Sequence, residues 1–232
     1  MEKRWVLVTG SSSGLGNAVI ESLKENENFI IISVDINENT DENFIHCDLN
    51  EKEMVENLVV KTRELTNQSL YAIVNVAGIS IGKTIEDMDE DDWQRMIQVN
   101  LTSPALIISG LQDIIQDGGR IVNVSSPVSI TGSKKPGYAA SKAGIHGLTM
   151  SVAKILGKRK ILVNSVYPGP MITGMTRNWP VDKRNSIAKE SFLQRLTTPD
   201  EVAKGIAFLL DPTVTGITGS ILDFTAGSMY TH

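Results

Sequence analysis

Trp5-Val6-Leu7-Val8 runs straight into Thr9-Gly10-Ser11-Ser12-Ser13-Gly14-Leu15-Gly16, and an amphipathic segment to about residue 24 follows. A short, wholly apolar run suits a strand covered on both faces. A glycine-rich turn from such a strand into a helix lets backbone amides approach a pyrophosphate, with the helix N-terminus adding partial positive charge. The spacing is Thr-Gly-x-x-x-Gly-x-Gly, a slightly longer turn than the common Gly-x-Gly-x-x-Gly. For this segment alone, a ligand-free loop of glycine and serine is the competing explanation.

The residues that follow favour the ligand. Phe29-Ile30-Ile31-Ile32-Ser33-Val34 is a second apolar run, and it ends at Asp35. An acid at the tip of the second strand, about twenty residues past the glycine turn, is where dinucleotide folds hold the adenosine ribose hydroxyls. A carboxylate there repels a 2′-phosphate, and neither Ser13 nor Ile36 is basic, so the local chemistry expects NAD rather than NADP. In isolation Asp35 is equally a turn or capping aspartate.

Further strands are expected at 44–49, carrying Asp48 near its end, at 70–74, running into Asn75-Val76-Ala77-Gly78, and at 121–124, ending in Ser125-Ser126. Another is expected at 161–166, before Pro168-Gly169, and a last one at 219–224. Helices are expected at 51–66, 101–115, 138–156 and 199–210, the last opened by Pro199. This alternation specifies an α/β fold, a doubly wound parallel sheet of about seven strands with helices on both faces. Residues 1–232 read as one dinucleotide-binding catalytic domain, and the weakly periodic 170–198 segment as a substrate lid. In such sheets the ligand sits outside the carboxyl ends of the strands. The glycine turn, Asp35, Asp48, Ala77-Gly78, Ser126 and Pro168-Gly169 all fall there.

Tyr138-Ala139-Ala140-Ser141-Lys142 carries the chemistry. A tyrosine and a lysine four apart share one helix face. A free phenol titrates near 10, and a lysine cation beside it is expected to pull that value down, making the tyrosine a usable acid or base. Alone, the spacing equally describes an amphipathic helix with a solvated lysine. Asn100 is a second oddity, because asparagine suits a helix interior poorly unless its side chain is engaged.

Composition removes other classes. A net charge of −5 over 232 residues offers no basic field for nucleic acid. The run Lys158-Arg159-Lys160 fits a solvated turn. Cys47 is the lone cysteine and His46, His146 and His232 are scattered, so neither a disulfide nor a metal centre is expected. No apolar stretch is long enough to span a bilayer, and no leader-type segment precedes the first strand. The expectation is a cytoplasmic protein with neither membrane nor nucleic-acid partner.

Taken jointly, the glycine turn, Asn75-Val76-Ala77-Gly78, Asn100, Ser125-Ser126, the Tyr138–Lys142 pair and Pro168-Gly169 followed by Thr173 resemble the short-chain dehydrogenase/reductase family in its compact, Rossmann-like form. The resemblance covers nearly the whole length. It implies that Tyr138 exchanges the hydroxyl proton, Lys142 supports it and holds the nicotinamide ribose, Ser126 binds the substrate oxygen, and Asn100 anchors a water leading from Lys142. It also implies an NAD site built from Gly10, Ser12, Ser13, Gly14, Leu15 and Gly16, from Asp35 and Ile36, and from Asp48 and Leu49 at the adenine. Asn75, Ala77, Gly78, Pro168, Gly169, Ile172 and Thr173 would complete it toward the nicotinamide.

Several positions depart from the family pattern. Val76 replaces an asparagine, Ser129 replaces the glycine of Ser-Ser-x-x-Gly, the loop to Tyr138 is one residue shorter, and Phe224-Thr225-Ala226-Gly227 replaces Val-Asp-Gly-Gly. Aligning from the strand side favours Ser126 over Ser125. The resemblance implies a homodimer or homotetramer paired through the helices at 101–115 and 138–156. The implied substrate is a secondary alcohol or the matching ketone. The alternatives are an NADPH-dependent 3-oxoacyl ketone reductase and a non-catalytic NAD-binding sensor or scaffold. Lys134-Lys135 could attract an anionic substrate, although solvated loop lysines are commoner.

Overall fold

The computed structural model describes residues 3–12, 14–173, 176 and 178–230. Strands β1 (Arg4–Thr9), β2 (Phe29–Asp35), β3 (Phe44–His46), β4 (Leu70–Asn75), β5 (Ile115–Val124), β6 (Leu162–Pro168) and β7 (Ile221–Phe224) form one sheet in the order β3-β2-β1-β4-β5-β6-β7. Every pairing is parallel. The helices are α1 (Gly14–Lys24), α2 (Lys52–Leu65), α3 (Glu90–Ile97), α4 (Ser103–Leu111), α5 (Val128–Thr131), α6 (Pro136–Leu156), α7 (Val181–Glu190) and α8 (Pro199–Leu210). This is the Rossmann-like, doubly wound arrangement expected from the alternation. No helix among the described residues is long and apolar enough to cross a membrane.

The central strands show no polar alternation because both faces are covered. Leu7 joins one core with Val55 and Leu58 of α2, Ile107 and Leu111 of α4, and Leu156 of α6. Its neighbours Val6 and Val8 join the other core with Val19 of α1 and Val202 and Ile206 of α8. All three strand residues are fully buried, each contributing about 1.5–3 kcal/mol of transfer free energy. A capping box opens α8: the Thr198 hydroxyl accepts from the Glu201 amide, and the Glu201 carboxylate accepts from the Thr198 amide. Pro199 occupies the first turn, where its missing N–H costs nothing.

Several expectations needed correction. The third strand stops at His46 rather than reaching residue 49. The helix expected at 101–115 ends at Leu111, and β5 begins at Ile115 instead of 121. Gly118-Gly119, which reads as a turn, is an irregularity inside that strand, where the pairing with β4 shifts between Leu70 and Ala72. A Cβ at Gly119 would stand 2.7 Å from the Tyr71 carbonyl oxygen, so glycine lets the strand bulge without leaving the sheet. The loop 127–137 is also more ordered than expected, containing α5 and the start of α6.

Candidate active site

β1 lies between β2 and β4, so the chain departs to opposite sides after β1 and after β4. That reversal opens a crevice at the carboxyl ends of these two strands. Gly10 has φ +71°, and a Cβ there would meet the backbone of Ala77 at 2.8 Å. A Cβ at Gly16 would stand 1.8 Å from the Gly10 carbonyl oxygen. The turn is therefore wound tightly on itself and against the segment after β4, an approach only glycine permits. Ala77 completes the contact by donating its amide to Thr9 Oγ1 at 3.3 Å. Thr173 stands over the turn: a Cβ at Gly14, itself at φ +53°, would be 3.2 Å from the Thr173 Cβ.

Asp35, at the end of β2, is buried and points back at this turn. Its Oδ2 accepts from the Ser12 amide at 3.0 Å, and its Oδ1 accepts from the Asn37 amide at 2.9 Å. The side chains hydrogen-bonded around this corner, those of Ser12, Asn37 and Asn39, are all neutral. The buried Ser11 Oγ has no hydrogen-bond partner among the described residues. A glycine cradle, an unpartnered hydroxyl within it and a carboxylate at the second strand's tip fit a dinucleotide. Ser13 lies outside the described residues.

The second half of the site is made of side chains. α3 and α4 are joined by a π-helical stretch, Gln98–Thr102, and Asn100 sits within it, almost wholly buried. Its Oδ1 accepts from the Ile79 amide at 2.8 Å, while its Nδ2 donates to the Ile79 carbonyl at 2.9 Å and to Ser141 Oγ at 3.0 Å. Ser141 Oγ in turn donates to the Tyr138 carbonyl at 2.8 Å. Asparagine thus ties the segment after β4 to the first turns of α6. A π turn frees the backbone room for such a clamp.

Lys142 is buried, and its Nζ donates to the Val124 carbonyl at 2.8 Å. A Cβ at Gly78 would be 3.3 Å from that Nζ and 3.4 Å from Asn100 Oδ1, so glycine there leaves room beside both. Burial lowers the lysine pKa to about 8. The Nζ lies 5.9 Å from the Tyr138 ring centroid. The phenol, however, is raised above its ordinary 10: burial dominates, and a hydrogen bond with Ser126 opposes it. The expected downward pull of Lys142 is not what the structure shows. Lys142 is buried and Tyr138 half-buried, and the ammonium spends a hydrogen bond on a strand carbonyl rather than on the phenol.

The two serines at the end of β5 separate clearly. Ser125 Oγ donates to the Lys142 carbonyl at 2.9 Å, which fastens α6 to the sheet. Ser126 is the one whose side chain lies near enough to the phenol to oppose its rise. Asn75 is not a cleft residue by its side chain: it is 3% exposed and donates to Asn123 Oδ1 at 2.8 Å, between β4 and β5. Leu15 is likewise buried in the α1–α8 core, so only its backbone can face a ligand. Asp48 accepts from the Asn50 amide at 2.8 Å and the Leu49 carbonyl accepts from Ser103 Oγ at 2.6 Å, which makes both part of the turn after β3. Ile36 and Ile172 are exposed, 54% and 58%. Pro168 ends β6, and Gly169 donates its amide to the Phe224 carbonyl at 3.0 Å.

Sequence reasoning missed Ser141 as the link between Asn100 and Tyr138, and Lys135 as a tether: its Nζ donates to the Ser80 carbonyl at 2.7 Å. A serine one place before the lysine carries no signal of its own. A groove of about 630 Å³ between α1 and α8, lined by Asn26, Phe29, Lys204 and Phe208 among others, lies at the opposite, amino-terminal end of β2.

A family model described as Enoyl-(Acyl carrier protein) reductase matches residues 11–228. The 3-oxoacyl-(acyl-carrier-protein) reductase FabG of Vibrio cholerae is 31% identical over 240 residues, covering 98% of each chain. A crystal structure of a short chain dehydrogenase family protein from Francisella tularensis superposes with a TM-score of 0.91 at 31% identity, covering 98% of this chain and 99% of that one. A 4-hydroxyisoleucine dehydrogenase complexed with NADH gives a TM-score of 0.90 at 27% identity, covering 99% of this chain and 100% of that one.

Proposed function

This chain belongs to the short-chain dehydrogenase/reductase family of oxidoreductases, and on that premise we propose that it moves a hydride between NAD and a secondary alcohol or the matching ketone, with Tyr138 as the proton donor and acceptor. The observation that carries this reading is the constellation around Tyr138. Ser126 stands beside the phenol closely enough to oppose its rise, and Lys142 and the clamped Asn100 flank Gly78 next to it.

When bound, NAD supplies or accepts the hydride; the protein contributes position and proton handling. The amides of the glycine turn would hold the pyrophosphate, Asp35 the adenosine ribose, Lys142 the nicotinamide ribose, and Thr173 the nicotinamide end. Ser126 would hold the substrate oxygen and stabilise charge developing there. Burial raises the phenol above its ordinary value, which holds Tyr138 in the form that donates to a carbonyl oxygen. Oxidation needs the phenolate and should gain with rising pH. Residues 170–198, of which 174, 175 and 177 lie outside the described residues, would serve as the substrate lid, with α7 within it.

The cofactor reading rests on Asp35 among neutral neighbours: a 2′-phosphate there would meet a carboxylate whose hydrogen-bond partners among the described residues are all neutral. The Vibrio cholerae relative is named for 3-oxoacyl reduction, which supports a 3-oxoacyl thioester as the first ketone to try and keeps the NADPH-dependent version in play. A homo-oligomer and a cytoplasmic location accompany this reading; Met150 and Ile155 on α6 are exposed apolar residues available to a second copy. The test is a turnover panel of 3-oxoacyl thioesters and simple hydroxy and keto compounds, each run with NADH and NADPH. Turnover by wild type, absent in Tyr138→Phe with NADH affinity unchanged, supports the assignment. Full activity in Tyr138→Phe overturns it.

A further inference from the structure

Ser126 is held in a very short element. α5 is a single turn, too short to be stable alone, so whatever fixes its ends fixes Ser126. On one side the Ser125 amide donates to the Val166 carbonyl of β6 at 3.0 Å. On the other, the Ser129 amide donates to the Ser126 carbonyl at 3.0 Å, and Ser129 Oγ donates to the Tyr167 hydroxyl at 2.8 Å. Tyr167 is on β6, 2% exposed, next to Val166. Both ends of the turn are thus moored to adjacent residues of the same strand, with Ser126 between them. A buried tyrosine hydroxyl requires a polar partner, and Ser129 supplies it at a position where the family pattern has glycine.

We propose that the Ser129–Tyr167 pair is a positioning device that holds the Ser126 hydroxyl in register with Tyr138. The inference rests on the reading of Ser126 as the group that meets the substrate oxygen. Tyr167, buried on β6, acts through the turn. Misplacement of a substrate-orienting group by as little as about 1 Å can cost about 100-fold in rate, so loss of this mooring should be felt in turnover rather than in cofactor binding.

The test uses the whole protein and two readouts. Tyr167→Phe keeps the ring in the core and removes only the hydroxyl. By hydrogen–deuterium exchange it should speed exchange of residues 126–132 several-fold while leaving 10–16 unchanged. In turnover assays kcat should fall about 10- to 100-fold, with the NADH dissociation constant unchanged, and Ser129→Ala should do the same. In a Ser126→Ala background, adding Tyr167→Phe should cost nothing more, and Ser129→Thr should retain wild-type kcat. Unchanged exchange at 126–132 overturns the proposal, as does an equal kcat loss with and without Ser126. The exchange readout needs no turnover, so failure of the oxidoreductase reading, seen as retained activity in Tyr138→Phe, is distinguishable from failure of the mooring.

Discussion

The two halves of the site are built by opposite means. Around β1, β2 and the turn between them, the cleft is defined by what is missing: glycines at 10, 14 and 16 leave space that a single Cβ would fill. Around β5 and α6 it is defined by what is present. Asn100, Ser125, Ser129, Ser141 and Lys142 each spend a hydrogen bond on a segment distant in sequence. The first half is a backbone shape and the second a side-chain network. A backbone shape should resist polar truncations and fail on added bulk, and a network should behave the other way round.

The largest effect that would sharpen this contrast is at Tyr138. Tyr138→Phe should lower turnover about 10²- to 10⁴-fold with NADH binding intact, as measured by steady-state kinetics and fluorescence titration. On the opposite side, Gly16→Ala adds one methyl group against a carbonyl oxygen. It should weaken NADH binding about 100-fold and cost about 1–3 kcal/mol of stability; unchanged affinity would break the idea of a cradle. Asn100→Ala leaves the amide and carbonyl of Ile79 without their partner. A loss of about 2 kcal/mol in denaturant unfolding and a lower kcat should follow. Asp35→Ala should narrow the preference for NADH over NADPH about tenfold, about 1.4 kcal/mol of repulsion removed. An unchanged preference would leave the NAD assignment without a basis.

The remaining effect is a pH dependence, and its two signs oppose. Lys142 titrates at about 8 when folded against 10.5 as its ordinary value. Between these values the unfolded chain binds more protons than the folded one, so this group makes stability rise with pH from about 8 toward 10.5. Its ammonium, the form that supports a phenolate, is lost in the folded protein as pH rises through about 8. Thermal melts of wild type minus Lys142→Met should therefore show a relative gain for wild type above pH 8. A flat difference would mean the lysine is less confined than the fold implies.

How much was legible in the sequence follows the same division. The glycine spacing, the apolar run before it and the acid at the next strand's end are local patterns, and they located the first half and the sheet around it. Tyr138 and Lys142 share one helix, so their proximity was legible too. The direction of the phenol's shift was not, because it depends on burial and on which acceptor the lysine finds. Ser141 and Tyr167 gave no signal and Ser129 showed only as a departure from the family pattern, since each is paired with a residue brought near only by folding. Asn75 entered the cofactor site through the resemblance alone; its register with Asn123 places the two side chains together on one face of the sheet, where they hydrogen-bond. Gly118-Gly119 read as a turn because a bulge and a turn use the same residue.

The π-helical stretch at Gln98–Thr102 makes the helical region that follows β4 sensitive to length as well as to identity. Each residue of an α-helix advances the side-chain direction by about 100°. Removing one residue from this stretch would let α3 and α4 merge into one regular helix, and every residue on one side of the cut would change heading by about that angle. The merged helix would have a better-formed ladder of backbone bonds, yet Asn100 would no longer face Ile79. A shortened chain of this kind should fold while losing its asparagine clamp, so the irregularity marks a place where phase, rather than helical stability, is what the sequence preserves.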